Sequence, residues 1–304
     1  MPRVAPVAVV WFGVVLFSTG PVIVAGAGIS GVAFSFWRLW IGVLVLTVAV
    51  LVVRRGAALR VTRQGVGWSL ASGVVFGIHQ LALMTAVQRA SVVDVTLMNT
   101  VAPVVVAFLA VPLFGERPGV RFRAWSLVAM AGAAGVVLAG SAGADGDRLG
   151  MALAVVNVVF YAFYFVGTKV ARAHIDTVSL LLVAIVGAVL TVSAWVVLSG
   201  TAVTPIGRSD LLRCLAVAVL PGAVGHFSVT WALRWVPANV PPVIMLSMPV
   251  LSGALAWVVL GQGVRGGQVL AGAATVVGVL GAVRSSPSNA PEPLDEATIL
   301  AEET

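Results

Sequence analysis

Long apolar runs broken by short polar connections dominate the chain. Ten such runs cover roughly residues 7–26, 30–53, 66–87, 92–113, 123–141, 149–168, 178–199, 211–232, 239–260 and 267–283. A helix needs about 20 apolar residues to cross the hydrocarbon core of a bilayer. In lipid the backbone must satisfy its own hydrogen bonds, so apolar runs of that length predict helices. The expectation is an all-α integral membrane fold of ten transmembrane helices, with connections too short for an extramembrane domain. The first run starts near Pro6 with only Arg3 as a charge before it. Many spans follow, so it is read as a helix of the mature chain and not as a signal peptide. The pattern stops after Val283, where RSSPSNAPEPLDEATILAEET holds five of the 11 Asp and Glu residues. Composition of that kind predicts a disordered tail over 285–304.

The runs also repeat. At an offset of 146 residues Phe17 meets Phe163, Pro103 meets Pro249, Gly115 meets Gly261, Gly135 meets Gly281 and Glu116 meets Gln262. Thus PVVVAFLAVPLFGE (103–116) and PVLSGALAWVVLGQ (249–262) are one frame written twice. The register defines two units, 7–141 and 149–284, each with five spans. Five is odd, so the second unit must enter the membrane from the opposite face. Two inverted five-helix repeats are therefore expected, the arrangement of secondary transporters whose binding site lies between the halves.

Composition works here by exclusion. Hydrophobic residues make up 60% of the chain, charged residues 10%, and mean hydropathy is +1.08. Soluble domains carry roughly 25% charged residues, so a water-soluble globule is excluded and the lipid bilayer is the expected solvent. The net charge of +7 would suit a nucleic acid, but the basic residues sit in short runs between apolar segments, such as RRGAALRVTR from Arg54 to Arg63. Such runs anchor loops on the cytoplasmic side, and no nucleic-acid partner is expected. With the N-terminus inside, twelve of the 18 Lys and Arg fall on the inner side, five outside and Arg38 within a span. That bias, carried mainly by the first half, predicts a multi-pass protein of the cell membrane with both termini cytoplasmic. The single cysteine, Cys214, excludes an internal disulfide and a cysteine-cluster metal site, and His79, His174 and His226 show no ligand spacing. No metal or other cofactor is expected.

A few polar residues stand inside apolar runs and are the candidates for chemistry. Arg38, about eight residues into the second span, is either a substrate-facing or gating cation, or a snorkelling arginine that pairs with a helix end or with Asp94. Trp37 and Trp40 beside it read as packing or interface anchors. Asp94 opens the fourth span, where it is a candidate to carry a coupling proton or, alternatively, to cap the helix. Proton coupling through His79 is the other option. His79 and Gln80 lie near the middle of the third span, and His226 falls opposite Gln80 in the repeat register. These three either line a cavity or hydrogen-bond between helices. Asn99, and Asn157 opposite Trp11, are weaker candidates of the same kind. Tyr161 and Tyr164, three apart on one helix face, either stack on a ligand or serve as core aromatics with bonded hydroxyls. Gly73 and Gly77 form a GxxxG for close helix contact. Pro103 and Pro249 are matched helix-kink candidates.

Taken in order, these residues resemble the drug/metabolite transporter superfamily in its ten-helix EamA type. The resemblance covers about residues 7–284. It rests on Trp11-Phe12-Gly13, on FSFWRL with Arg38, and on NTVAPVV through FGERPGVRFRAWSLVAMAGAAGVVLAG. The second copy runs from LSMPVL to LGQGVRGGQVLAGAATVVGVLGAV, and GMALAVVNVVFYAFYFVGTKVAR is similar to the start of the family's second domain. The resemblance implies export of small metabolites or drugs by alternating access, without naming a cargo. The family pattern carries a glutamate in both halves; Glu116 fits it and Gln262 departs, which a neutral hydrogen-bonding side chain at a membrane edge tolerates.

The expected function is a secondary membrane transporter of a small-molecule substrate; export follows from the resemblance alone. An uptake permease is the nearest rival, and a non-transporting scaffold or sensor a more distant one. An enzyme is not expected, because the short loops lack the clustered nucleophiles, acids or metal ligands that catalysis needs at one depth.

Overall fold

The computed structural model describes residues 4–24, 27–54, 62–89, 99, 101–114, 118–140, 148–260 and 266–285. Asp94, Glu116, Gln262 and the tail beyond Ser285 lie outside the described residues. The described chain is helical throughout its elements. These are α1 (Val4–Val24), α2 (Gly31–Arg54), α3 (Arg63–Arg89), α4 (Ala102–Phe114), α5 (Val120–Gly140), α6 (Arg148–Ala171), α7 (Thr177–Ser199) and α8 (Arg208–Val217). A π-helical segment (Ala218–Gly225) follows, then α9 (His226–Ala232), α10 (Val240–Met245), α11 (Met248–Leu260) and α12 (Gly266–Ser285).

Among the described residues, 6 helical stretches are long and apolar enough to cross a membrane, and Ala5–Gly20 and Val240–Leu255 are shorter apolar helices. The distribution of side chains is that of a protein solvated by lipid. Leu198 is 82% exposed and Leu44 66% exposed, whereas Ser35, Ser69 and Asn157 are fully buried. An outside of Leu, Val and Trp suits hydrocarbon, and the sparse polar groups turn inward, away from it. This is an all-α integral-membrane fold with multiple apolar spans.

Two helix starts show how sequence sets the elements. Ser30 caps α2, its Oγ accepting from Ala33 N at 3.2 Å. Asp176, 146 residues on (176 − 30), caps α7 by accepting from Val178 N and Ser179 N at 3.0 and 3.1 Å. Each cap satisfies backbone donors that the first helical turn leaves without a partner. The same offset relates α4 to α11 and α5 to α12: Ala102 + 146 is Met248, and Val120 + 146 is Gly266.

The expected ninth span, 239–260, differs from a single helix. It is α10 and α11, separated by Leu246 and Ser247, whose N–H groups donate to Val243 O and Ile244 O at 3.1 and 3.0 Å in a tighter turn. Pro249 supplies the reason. It has no N–H to offer the carbonyl of Met245, and its ring crowds that carbonyl, so the helix breaks on its N-terminal side. Pro103 holds the equivalent second position of α4. The expected eighth span, 211–232, is likewise divided, by the π segment around Pro221.

Small residues set the closest helix contacts. On α3, Gly73 lies against the Ala184 backbone of α7, and a Cβ at Gly77 would stand 2.7 Å from Thr191 Cβ. Gly132 of α5 lies against Thr275 of α12, while Gly278 of α12 lies against Ala129 of α5. These two contacts are each other's image in the 146 register (132 + 146 = 278; 129 + 146 = 275). We predict that Gly278→Val destabilises the protein by about 1–3 kcal/mol, the cost of overpacking. Gly253→Val, where a Cβ meets nothing within 4 Å, should change stability by less than about 0.5 kcal/mol. Denaturant titration in detergent micelles checks both.

Candidate functional site

Four elements bring rings to one place in the bundle, and a fifth adds a thioether. On α6, Asn157, Tyr161, Tyr164, Phe165 and Thr168 follow the 3.6-residue period and share one face. On α3, Phe76, His79 and Gln80 lie within one turn and a half. Phe17 comes from α1, His226 from the start of α9, and Met245 from the end of α10.

The rings are in contact. His79 stacks on Phe76, centroids 5.6 Å apart, and on Tyr161, 4.9 Å apart. Phe76 meets Tyr164 at 4.8 Å and His226 edge-on at 5.1 Å. Phe17 approaches the other side of the cluster, 4.9 Å from His226. Offset and edge-on arrangements of this kind add about 0.5–1.5 kcal/mol per pair to simple burial.

Polar atoms at the edges of the rings find partners. Tyr164 Oη lies 3.1 Å from His226 Nδ1, with the donor set by the imidazole tautomer. The Tyr161 hydroxyl donates to Met245 Sδ at 2.7 Å. His79 Nδ1 lies 3.3 Å from the Asn157 carbonyl, and Asn157 Nδ2 donates to Asn99 Oδ1 at 2.8 Å. Gln80 is 3% exposed, on the buried side of α3.

Two cavities meet at this cluster. The first, about 30 Å³, is lined by Arg38, Leu39, Gly42 and Leu46 of α2, Phe76, Ile185 of α7, and Ala218, Gly222, Ala223 and His226. The second, about 10 Å³, is lined by Phe17, Tyr161, Tyr164, Phe165, Thr168, His226, Val229, Thr230, Leu233 and Met245. His226 belongs to both. Phe76 on one side touches Tyr164 on the other, so Phe76, Tyr164 and His226 form the wall between them. The π segment shapes the first cavity. Pro221 has no N–H for the regular ladder, the turn widens, and Gly222 and Gly225 let the backbone come close to its surroundings. A Cβ at Gly225 would stand 3.0 Å from the Phe17 ring.

Arg38 therefore lines a cavity, with no hydrogen bond or ion pair to it among the described residues; Asp94 lies outside them. Trp37 and Trp40 turn elsewhere, Trp37 Nε1 donating to Val203 O at 2.7 Å and Trp40 Nε1 to Ser193 Oγ at 3.3 Å. The structure brings His79, Tyr161, Tyr164 and His226 into one cluster, with Asn99 reached through Asn157. Pro103 and Pro249 stand apart from it at helix starts. Sequence reasoning passed over Phe17, Phe76, Phe165 and Met245, which carry no contrast with their apolar neighbours. The π segment did leave a signal, the Pro221-Gly222 pair inside an apolar run. Among the described residues, no group of three or more His, Cys, Asp or Glu is placed to hold a metal ion.

The EamA-like transporter family model matches residues 6–138 and 148–284. The chain belongs to that family. The family match covers both halves, and the EamA-like chain is a multi-pass membrane protein of the secondary-transporter class. A crystal structure 21% identical to it matches 93% of this chain and 98% of its own, with a TM-score of 0.80, among 29 solved chains that match. That likeness shows a shared fold. No curated protein matches the chain.

The Tyr164 hydroxyl gives this geometry a direct check. Tyr164→Phe should cost about 0.5–1.5 kcal/mol of unfolding free energy, the net worth of one hydrogen bond. In a His226→Phe background the same change should cost less, the remainder belonging to Thr168 and Thr230 beside the hydroxyl, which a double-mutant cycle in detergent measures.

Proposed function

We propose that the chain exports a small metabolite or drug across the cell membrane by alternating access, the substrate occupying the space around the ring wall. Export, as opposed to uptake, follows the family resemblance. The observation that carries the reading is the pair of cavities that meet at His226 and are closed from each other by Phe76 and Tyr164. A thin wall of rings between two cavities is what a transporter has to move. Arg38, His79, Gln80, Asn99, Tyr161, Tyr164 and His226 are the proposed lining and gating residues, and Asp94 and His79 the proposed carriers of a coupling proton.

We further propose ten transmembrane helices in two inverted repeats, 7–141 and 149–284, with both termini and the 285–304 tail cytoplasmic. Inverted copies must run antiparallel where equivalent helices touch. The α5–α12 contacts support this: as the contact moves from Ala129 to Gly132 along α5, it moves back from Gly278 to Thr275 along α12. A second pair of contacts agrees. Thr62 Oγ1 donates to His174 O at 3.0 Å, and Gly28 N donates to Asp210 Oδ1 at 3.0 Å. In the 146 register Gly28 maps onto His174 (28 + 146 = 174), and Thr62 maps two residues before Asp210 (62 + 146 = 208). One tie closes the start of α3, the other the start of α8. Pro103 and Pro249, at equivalent helix starts, are the proposed bending points.

The test is efflux from proteoliposomes loaded with labelled amino acids, nucleobases and cationic dyes, with and without an imposed proton gradient. One class should move saturably. Phe76→Ala should alter its rate by about tenfold or more, since a misplaced contact at such a site costs on the order of 10²-fold. Phe163→Ala, on the exposed side of α6, should leave it within about twofold. Folded, inserted protein that moves none of these solutes would favour the scaffold reading.

A further inference from the structure

Arg38 is the charge the ring wall does not explain. It is the eighth residue of α2, about 10 Å along the helix from Gly31 at a rise of 1.5 Å per residue. A snorkelling arginine would line the membrane edge. Arg38 instead lines the same cavity as Leu46, two turns deeper on α2, and as Phe76 and His226 of the ring wall. The rest of that lining is Leu39, Gly42, Ile185, Ala218, Gly222 and Ala223, which offer a guanidinium no side-chain acceptor.

Among the described residues, the nearest carboxylate and the flanking indoles are otherwise engaged. Asp210, the carboxylate at the start of α8, is bound to Arg213 at 3.0 Å and to Gly28 N at 3.0 Å. Neither flanking indole stacks on Arg38: Trp37 and Trp40 are tied to Val203 and Ser193. Among the described residues Arg38 has no counter-charge, and a cation at membrane depth is costly unless it faces a cavity or a partner. The guanidinium fork matches a carboxylate in a bidentate pair.

We infer that the Arg38 cavity binds the carboxylate of a small organic monoanion, with the apolar body of the ligand lying toward Phe76 and the ring wall. The single positive charge sets the preference for one negative charge, and the apolar lining sets the preference for an uncharged remainder. The inference rests on the transport reading for its purpose, since it names the substrate class of the same site, but its test does not depend on transport.

The experiment measures binding to the full-length protein in phosphatidylcholine nanodiscs, which keep anionic headgroups out of the assay. The probes are 3-phenylpropionate and its neutral counterpart 3-phenylpropanamide, followed by tryptophan fluorescence and by the shift in melting temperature. The anion should bind about ten- to hundredfold tighter than the amide, the factor a charge-assisted hydrogen bond supplies over a neutral one. In Arg38→Gln the two probes should bind within about threefold of each other, and Arg38→Lys should keep part of the preference. Equal affinities in the unmodified protein, a preference that survives in Arg38→Gln, or binding of neither probe would each overturn the inference. The wild-type comparison decides even where Arg38→Gln fails to fold. Anion preference without efflux of 3-phenylpropionate from proteoliposomes would sink the transport reading alone; efflux of any loaded solute without anion preference would sink this one alone.

Discussion

Lipid gives polar side chains nowhere to go but inward, and the rest of the structure follows from that constraint. The outer surface is built from Leu, Val and Trp. What little polarity the spans contain collects where helices meet, as with the fully buried Ser35 and Asn157. Hydroxyls that stay on their own helix bond backward to the preceding turn, as Ser69 does to Gly65 O at 2.6 Å and Thr275 to Ala271 O at 2.9 Å. Groups too large for that solution, the imidazoles and phenols, share one another's edges in the ring cluster. An arginine cannot be satisfied either way, and it ends at a cavity.

The same constraint explains why irregular backbone falls where it does. Broken helix is tolerated at membrane depth only when it is buried in protein or lines a cavity. The π segment at Pro221 lines the Arg38 cavity, and the turn at Leu246-Ser247 sits beside Met245, which receives the Tyr161 hydroxyl. The second of these has its counterpart just before α4, where Val101 is a turn; the π segment does not. The residues of α3 that match the π segment, Ser72 to His79, lie in unbroken helix. At this level the two halves differ: α3 offers Phe76 and His79 from unbroken helix, and the π segment brings His226 against them.

Much of this was legible in the chain because it depends on contrast. A histidine or tyrosine inside an apolar run stands out, and His79, Tyr161, Tyr164 and His226 were found that way. The matched frames around Pro103 and Pro249 announced the repeat that the paired Gly132 and Gly278 contacts echo. Phe17 and Phe76 were invisible for the opposite reason, since a phenylalanine among valines carries no signal until its neighbours are placed. Asp210 was passed over because it opens a helix, where a carboxylate is ordinary; only the contact with Gly28 reveals that it ties two connections together. The bends were half legible: a proline marks a broken ladder, but whether the helix widens, as at Pro221, or stops, as before Pro249, is decided by what packs beside it.

The central claim is that the second half enters the membrane opposite to the first, and sidedness tests it most directly. Cys214 is the chain's one cysteine and is buried, so Cys214→Ala supplies the background. Ala27 and Ala173 are equivalent in the repeat register (27 + 146 = 173) and lie in the α1–α2 and α6–α7 connections. Single cysteines placed there, Ala27→Cys and Ala173→Cys, are treated in sealed vesicles of known orientation with a membrane-impermeant maleimide. The inverted arrangement predicts labelling from opposite faces, Ala27→Cys from outside and Ala173→Cys from the cytoplasmic side. Labelling of both from the same face would contradict it.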